Sequence, residues 1–265
     1  DTVLVPLGTF SEALSVSHSV VLIGVSQSFD KPVLDGLSGQ NIITVWGDVA
    51  LTINNFVLQN GNGGTTGGGA IYSSEGSIHI SDCQFQYNSV SGSGKGGAIY
   101  SGGSELVIKN TLFWNNISLN GDAGAVYTNG GLIDSTEFRN NSAGNNGGAV
   151  VLGPGDAVVA QYSVFYGNTA GDIGGAIYCE GEAMIQNNTL LSGSAGSDPA
   201  VASGSGASVD VVNTIIWDNS GSAWENQDGI AYSYCDIDGV WPGTGNIYQN
   251  PLIADPGSWN YNLTS

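Results

Sequence analysis

Short runs of alternating apolar and polar residues recur along the chain and are separated by clusters of glycine, serine, asparagine and aspartate. Residues 77–80 (SIHI) and 105–108 (ELVI) are two such runs, and a period of two is typical of β-strands with one buried face. The residue types of the intervening clusters favour turns. Since no window has a sustained helical period, the pattern predicts an all-β protein.

Two unrelated motifs recur with a common spacing through the middle of the chain. The first is a pair of small residues followed by alanine and a β-branched residue, with its alanines at Ala70, Ala98, Ala125, Ala149, Ala176 and Ala200. The second is an apolar residue followed three positions later by asparagine, with its apolar members at Phe85, Phe113, Phe138, Phe165, Leu190 and Ile216. A shared period of about 26 residues indicates six equivalent structural units.

A unit of two or three short strands cannot bury its apolar face alone, whereas stacked units bury a continuous core. We therefore predict a right-handed parallel β-helix of about ten coils, each of roughly 26 residues, with the apolar column inside. We expect one domain, with opening coils at residues 1–67, repeat coils at 68–219 and closing coils at 220–265.

The asparagines of the second motif have a structural explanation. They are Asn88, Asn116, Asn141, Asn168 and Asn219, and Gly193 replaces asparagine in one copy. Asparagine tolerates left-handed backbone angles, and its amide can bond to the coil above or below. We interpret this column as a structural ladder rather than as a ligand site.

These motifs resemble the passenger repeats of the polymorphic outer-membrane proteins, which are right-handed parallel β-helix surface proteins of the autotransporter adhesin type. The resemblance covers roughly residues 68–219, and the later copies lose the glycine pair. It implies a secreted or cell-surface chain that acts without catalysis, as a rigid display or cell-contact element. The partners it implies are a host or neighbouring cell surface, or glycans.

The charge of the chain excludes several functions. The 23 acidic residues outweigh four basic ones, for a net charge of −19. Such a chain is repelled by phosphate backbones, so we expect no nucleic-acid partner. The chain also lacks a run of about 18 apolar residues, so we expect no transmembrane helix in it.

The main alternative function is that of a carbohydrate-active enzyme or a carbohydrate-binding β-helix. Glycoside hydrolysis needs two facing carboxylates, and the candidates are Glu180, Glu182, Asp210, Asp218, Asp228, Asp236 and Asp238. Spacing by two also suits a solvated strand face, so we predict no catalytic residue.

Asp236 and Asp238 are weak calcium candidates, because two same-side carboxylates beside a turn lack the further ligands of a calcium loop. We expect no other cofactor or metal.

One aromatic column is a candidate binding surface. Tyr72, Tyr100, Tyr127 and Tyr178 follow residues that we expect to point inward, so alternation directs their rings outward, with Val151 interrupting the column. Exposed rings can stack on sugars or pack against a partner protein. The alternative is that they cover a sheet face or pack beneath a turn.

The ends of the solenoid and the sequons leave further questions open. An end coil exposes unpaired strand edges, and head-to-tail contact would generate filaments, so copies of the chain joined end to end are one candidate assembly. The other is a segment of a longer adhesin. Glycosylation sequons, which matter only if the source glycosylates, start at Asn116, Asn140, Asn187 and Asn262.

Overall fold

The computed structural model describes residues 1–26, 30–103, 105–198, 200–222, 228–239 and 241–264. Each strand of the solenoid pairs in parallel with its counterparts in the coils before and after it, which confirms the predicted parallel β-helix. The one helical element of the described residues is the 3-10 turn Pro256–Ser258.

Successive strands of a coil contribute to four sheets, numbered here in chain order. Sheet I consists of Thr2–Val5, Val20–Gly24, Ala50–Asn54, Ser77–Ser81, Glu105–Lys109, Gly131–Asp134, Val158–Gln161, Glu182–Gln186, Ser208–Val212 and Ile230–Ser233. Sheet II consists of Thr9–Phe10, Val33–Asp35, Val57–Gln59, Gln84–Gln86, Leu112–Trp114, Glu137–Arg139, Val164–Tyr166, Thr189–Leu191, Ile215–Trp217 and Asp236–Ile237.

The other two sheets are shorter. Sheet III consists of Ser89–Val90, Ile117–Ser118, Ser142–Ala143, Thr169–Ala170, Ser194–Ser197 and Ser220–Ser222. Sheet IV consists of Leu14–Val16, Ile43–Val45, Ile71–Ser73, Ile99–Ser101, Val126–Thr128, Val150–Leu152, Ile177–Cys179 and Val201–Ser203. Among the described residues, eight coils therefore supply sheets I, II and IV together, and two further coils extend sheets I and II. The expected ten coils differ from this only in the completeness of the last two.

The phenylalanines of the second motif form the centre of the core. Phe85, Phe113, Phe138 and Phe165 are fully buried, and consecutive rings are stacked with centroids 4.8–4.9 Å apart and interplanar angles of 6–10°. Strands in register place identical side chains one strand spacing apart. The inward position predicted for this column is therefore confirmed.

The small-residue pair of the first motif has two separate structural reasons. Its first member lies in the left-handed region, with φ between 57° and 70° at Gly68, Gly96, Ala123, Gly147 and Gly174. Its second member has no space for a side chain, because a Cβ on Gly97 would lie 2.1 Å from the carbonyl oxygen of Gly124 in the next coil. The pair thus permits a tight corner and close stacking of coils.

The three cysteines are free and buried in the core. Burial raises the pKa of Cys179 to about 12, and it also raises the pKa of Cys83 to about 12 against weaker opposing hydrogen bonds. These thiols therefore behave as small apolar core residues.

Candidate functional site

The asparagine column is a buried chain of side-chain amides. Asn116 Nδ2 donates to Asn141 Oδ1 at 2.9 Å, and Asn141 Nδ2 donates to Asn168 Oδ1 at 3.0 Å. Each amide also bonds to the backbone, as when Asn141 Nδ2 donates to the carbonyl of Phe113 at 3.0 Å. Both polar atoms of the Asn141 side chain, Oδ1 and Nδ2, therefore form hydrogen bonds to the neighbouring coils.

The ladder changes where the motif degenerates. Gly193 takes the place of asparagine, and its backbone N–H donates to Asn219 Oδ1 at 2.8 Å. Asn219 Nδ2 donates in turn to the carbonyls of Leu190 and Trp217, both at 3.1 Å. The amide of Asn219 thus bonds to Gly193 and Leu190 in the coil before it and to Trp217 in its own coil.

A second buried polar ladder, which the sequence reasoning missed, runs along the turn between sheets I and II. Its members are Thr111, Thr136, Ser163, Asn188 and Thr214, all of them buried. The backbone N–H of Ser163 donates to Asn188 Oδ1 at 2.8 Å, and that of Thr136 donates to Ser163 Oγ at 3.1 Å. The spacing is regular but the residue type varies, so a search for one recurring residue does not find it.

The predicted tyrosine column lies on the outer face of sheet IV. Tyr72 and Tyr100 have ring centroids 5.2 Å apart, and Tyr100 and Tyr127 have centroids 5.3 Å apart. The strands pair in register, so Val151 follows Tyr127 and Tyr178 follows Val151. The first three rings form a continuous stack, and Tyr178 is separated from them.

The column is not open to solvent along its whole length. Tyr127 is only 6% exposed, because Ala123 and Val151 pack against it in a cluster that Tyr100 and Tyr178 flank. The expectation of an exposed ring is therefore wrong for Tyr127. The other three rings of the column are half-buried.

A compact cluster of charged side chains contacts Tyr127 in the middle of this column. Lys95 Nζ lies 3.2 Å from Asp122 Oδ2, 3.8 Å from Glu180 Oε1 and 4.5 Å from the ring centroid of Tyr127. Tyr127 Oη donates to Glu180 Oε2 at 3.3 Å. Burial, and secondly the negative charge of Glu180, raise the pKa of the Tyr127 hydroxyl. In this cluster one cation offsets part of the charge of two carboxylates, and the protonated Tyr127 hydroxyl donates a hydrogen bond to one of them.

The other candidate carboxylates take no part in the contacts of this cluster, and two of them, Asp218 and Asp238, lie next to each other. Glu182 and Asp210 are exposed on the outer face of sheet I, and Asp228 is exposed beside a turn. Asp236 Oδ1 accepts from the Gln249 N–H at 3.0 Å.

The two calcium candidates, Asp236 and Asp238, both accept hydrogen bonds from backbone N–H groups. Asp238 Oδ2 accepts a bond from the Asp218 N–H at 3.3 Å, and Asp236 holds the N–H of Gln249. In the parts of the chain that the structure describes, no group of three or more His, Cys, Asp or Glu side chains is arranged to hold a metal ion.

The C-terminal residues form an antiparallel hairpin that lies against the outer face of sheet II. Its strands are Ile253–Asp255 and Asn260–Leu263, joined by the turn Pro256–Ser258. Arg139, only 5% exposed, binds this hairpin at several points. Its guanidinium donates to the carbonyls of Pro256 and Gly257 and to Tyr261 Oη.

Aromatic rings and one carboxylate complete the contact around Arg139. The guanidinium carbon lies 4.7 Å from the ring centroid of Tyr166 and 4.1 Å from that of Trp259. Tyr261 Oη donates to Glu137 Oε1, and that carboxylate lies 3.6 Å from the Arg139 guanidinium. A single buried cation therefore joins sheet II to a segment about 120 residues later in the chain.

The docked hairpin creates an aromatic patch of Tyr87, Trp114 and Trp259, called the sheet II patch below. The ring centroids of Tyr87 and Trp114 are 5.2 Å apart, and those of Trp114 and Trp259 are 6.5 Å apart. Tyr87 is 47% exposed and Trp259 is 46% exposed. The sequence reasoning missed this patch, because its three rings share no motif and one of them arrives through long-range packing.

The four sequons differ in accessibility. Asn140 and Asn262 are exposed, and Asn187 is half-buried with its Oδ1 accepting from Asn213 Nδ2. Asn116 is buried, and its amide is part of the asparagine ladder. A glycan on Asn116 is therefore incompatible with the folded coil.

A family model matches three segments of the repeat region, residues 82–102, 135–152 and 162–180. Three coils match the Chlamydia polymorphic membrane protein repeat. The match confirms the resemblance drawn from the two motifs, and it falls within the residues 68–219 from which that resemblance was drawn. The matched segments make up about a fifth of the chain and contain Phe85, Phe138 and Phe165 of the core column.

Comparison with the curated proteins and with the solved structures gives no significant match. Among the described residues, no helix has the length and apolar character needed to cross a membrane.

Proposed function

We propose that this chain is a non-catalytic β-helix displayed outside the cell, where it acts as a rigid adhesive element. The observation that carries the proposal is the match of three coils to the polymorphic membrane protein repeat, a surface and adhesin-like family. A solenoid with fully stacked core rings supports it, because such a rod holds its outer faces at fixed positions along the axis.

The non-catalytic part of the proposal is supported by how the acidic side chains are used. Asp122 and Glu180 are paired with Lys95, and Asp236 and Asp238 accept bonds from backbone N–H groups. General acid–base chemistry needs a carboxyl group that is held ready to transfer a proton to the substrate. We expect no turnover of pectin, alginate or neutral glucans, with or without calcium. Release of unsaturated or reducing ends by the pure protein would contradict this.

Adhesion is tested by coating beads with the protein and counting beads retained on cultured epithelial cells under flow. The matched control is the same protein, heat-denatured before coating, which has the same composition and charge but no solenoid. Retention that exceeds the control and is blocked by free folded protein is expected. Retention equal to the control would overturn the adhesive function.

Self-association through the ends of the solenoid is a second candidate role. The two ends differ in how much apolar surface they expose. The first coil leaves Val3, Leu4 and Phe10 exposed, whereas at the other end Trp241 packs edge-on against Tyr232 with centroids 5.5 Å apart. Exposed apolar residues at an end favour end-to-end contact. Sedimentation velocity over the micromolar range tests it: association that rises with concentration is expected, and a concentration-independent monomer would rule it out.

A further inference from the structure

We infer that the sheet II patch, together with the row of side-chain amides beside it, is a binding site for a neutral oligosaccharide. The inference rests on the proposed adhesive function and names the chemical class of ligand that one face would recognise. It concerns a different face from the tyrosine column on sheet IV.

The rings of the patch have the exposure of an interaction surface rather than of a core. Tyr87 is tilted by 55° against Trp114, and Trp114 by 72° against Trp259. Tyr87 and Trp259 each leave nearly half their surface in solvent, and both rings lie beside Trp114. By contrast, the core phenylalanines are fully buried and stacked in parallel. Exposed contiguous aromatic surface marks an interaction site, and the faces of such rings pack on the apolar faces of sugars.

Polar groups suited to sugar hydroxyls continue from Trp114 along the same row of sheet II. Trp114 pairs in register with Gln86, and Gln86 pairs with Gln59. Gln86 Nε2 donates to Gln59 Oε1 at 2.8 Å, and Gln59 Nε2 donates to Asp35 Oδ2 at 2.8 Å. These hydrogen bonds fix the amides in line with the rings, at intervals of about 4.8 Å. An apolar platform with a few fixed polar groups is the usual composition of a ligand site.

Charge selects a neutral sugar over an acidic one. The chain carries a net charge of −19, and a field of one sign repels ligands of the same sign. Arg139, the cation beside the patch, is only 5% exposed and already binds Pro256, Gly257 and Tyr261. A polyanionic glycan would therefore meet the carboxylate of Asp35, while the Arg139 guanidinium beside the rings is already bound to the hairpin.

The site exists only in the folded chain with its hairpin docked, because Trp259 lies 145 residues after Trp114 in the sequence. Trp259 has a left-handed backbone conformation at the end of the Pro256–Ser258 turn, with φ of 65°. The Arg139 guanidinium lies over its ring, 4.1 Å from the centroid, and Trp114 meets it edge-on. These contacts hold the Trp259 ring of the sheet II patch in a fixed position.

The test is calorimetric titration of the full chain with cellohexaose, chitohexaose and laminarihexaose, with polygalacturonate as the acidic comparison. Binding of at least one neutral hexasaccharide is expected, with at least tenfold weaker binding in Trp114→Ala and in Trp259→Ala. The matched control is Trp46→Ala, which removes an exposed tryptophan directly after the sheet IV strand Ile43–Val45, and we expect its affinity within twofold of the unmodified chain. Thermal melts establish that each variant is folded.

Three results would overturn the inference. They are no binding of any neutral hexasaccharide by the unmodified chain, affinities of Trp114→Ala and Trp259→Ala equal to that of the unmodified chain, or binding of polygalacturonate tighter than that of every neutral hexasaccharide. If a variant fails to fold, Tyr87→Ala provides a second test, because its exposed ring can be removed without touching the hairpin.

Bead retention on cells separates this inference from the proposed function. Retention without hexasaccharide binding would remove the inference and leave the adhesive function. Hexasaccharide binding without retention would remove the adhesive function and leave the binding site.

Discussion

The repeat coils and the C-terminal hairpin are stabilised in opposite ways. In the coils, each side chain meets its equivalent one turn later, so Phe113 stacks on Phe138 and Asn116 bonds to Asn141. In the hairpin, stability comes from unlike residues that meet once, as Arg139 meets Pro256 and Trp259. The coils thus have many equivalent contacts, whereas the hairpin is held by a few unlike contacts centred on Arg139.

This difference predicts different responses to mutation. A defect in a column affects a cooperative stack in which each coil supports its neighbours. A defect at Arg139 releases a short peripheral segment, because docked elements can open without global unfolding. Substitutions in the coils should therefore change global stability most, and changes at the hairpin contact should change it least.

The largest expected effect is in the core column. Phe138→Ala should lower the free energy of unfolding by about 3–5 kcal/mol, because it leaves a cavity between two stacked rings. Urea denaturation followed by circular dichroism measures it. Met184→Ala, which truncates an exposed residue on sheet I, is the control and should change stability by less than about 0.5 kcal/mol. A neutral Phe138→Ala would contradict the packed column.

The asparagine ladder should give the next largest effect. Asn141→Ala removes the acceptor of the Asn116 N–H, one of the two acceptors of the Asn116 amide and the donor to the Phe113 carbonyl. Buried groups left unsatisfied cost about 1–3 kcal/mol each, and partial relaxation brings the expected loss to about 2–4 kcal/mol. Asn120→Ala, at an exposed turn position, is the matched control. Equal denaturation midpoints for the two variants would show that the ladder adds no stability.

The hairpin should respond differently. Arg139→Gln removes the guanidinium that binds Pro256, Gly257 and Tyr261, so the hairpin should be released while the coils stay folded. We expect at least tenfold faster proteolysis near the C-terminus and a change of less than about 2 kcal/mol in global unfolding. Lys109→Gln, at an exposed basic residue, is the control. Unchanged proteolysis in Arg139→Gln would show that the hairpin does not depend on this cation.

The smallest expected effect is a pH dependence at the hairpin contact. Burial raises the pKa of Glu137 above its ordinary value of 4.5, and the bonds from Tyr261 and Arg139 only partly offset this. A raised pKa in the folded state means that its contribution to stability is complete below pH 4.5 and is lost as pH rises through the raised pKa. The melting temperature of the unmodified chain relative to Glu137→Gln should therefore rise as pH falls from 7 to 4. A pH-independent difference would contradict the raised pKa.

The sequence predicted the features that repeat and missed those that occur once. The Phe column and the glycine pairs were found because the same residue types recur about every 26 residues. The ladder of Thr111, Ser163 and Asn188 has the same regularity but varies in residue type, so residue identity alone did not identify it.

Long-range contacts account for the rest. The burial of Tyr127 depends on Ala123 and Val151 lying against its ring, and alternation along a strand describes only whether a side chain points outward. Arg139 lies within the second motif, between Phe138 and Asn141, but its partners Trp259 and Tyr261 lie about 120 residues away. No local pattern specifies such a pairing, so the sheet II patch could be seen only in the folded structure.

Native-state hydrogen exchange, read by mass spectrometry, tests the contrast between coils and hairpin most directly. Peptides from the matched coils at residues 82–102, 135–152 and 162–180 should exchange slowly and together, through global unfolding. Peptides from residues 250–264 should exchange at least tenfold faster, and faster still in Arg139→Gln, while the coil peptides keep their protection. Equal protection of hairpin and coils, or separate rapid exchange of the three coils, would contradict the account.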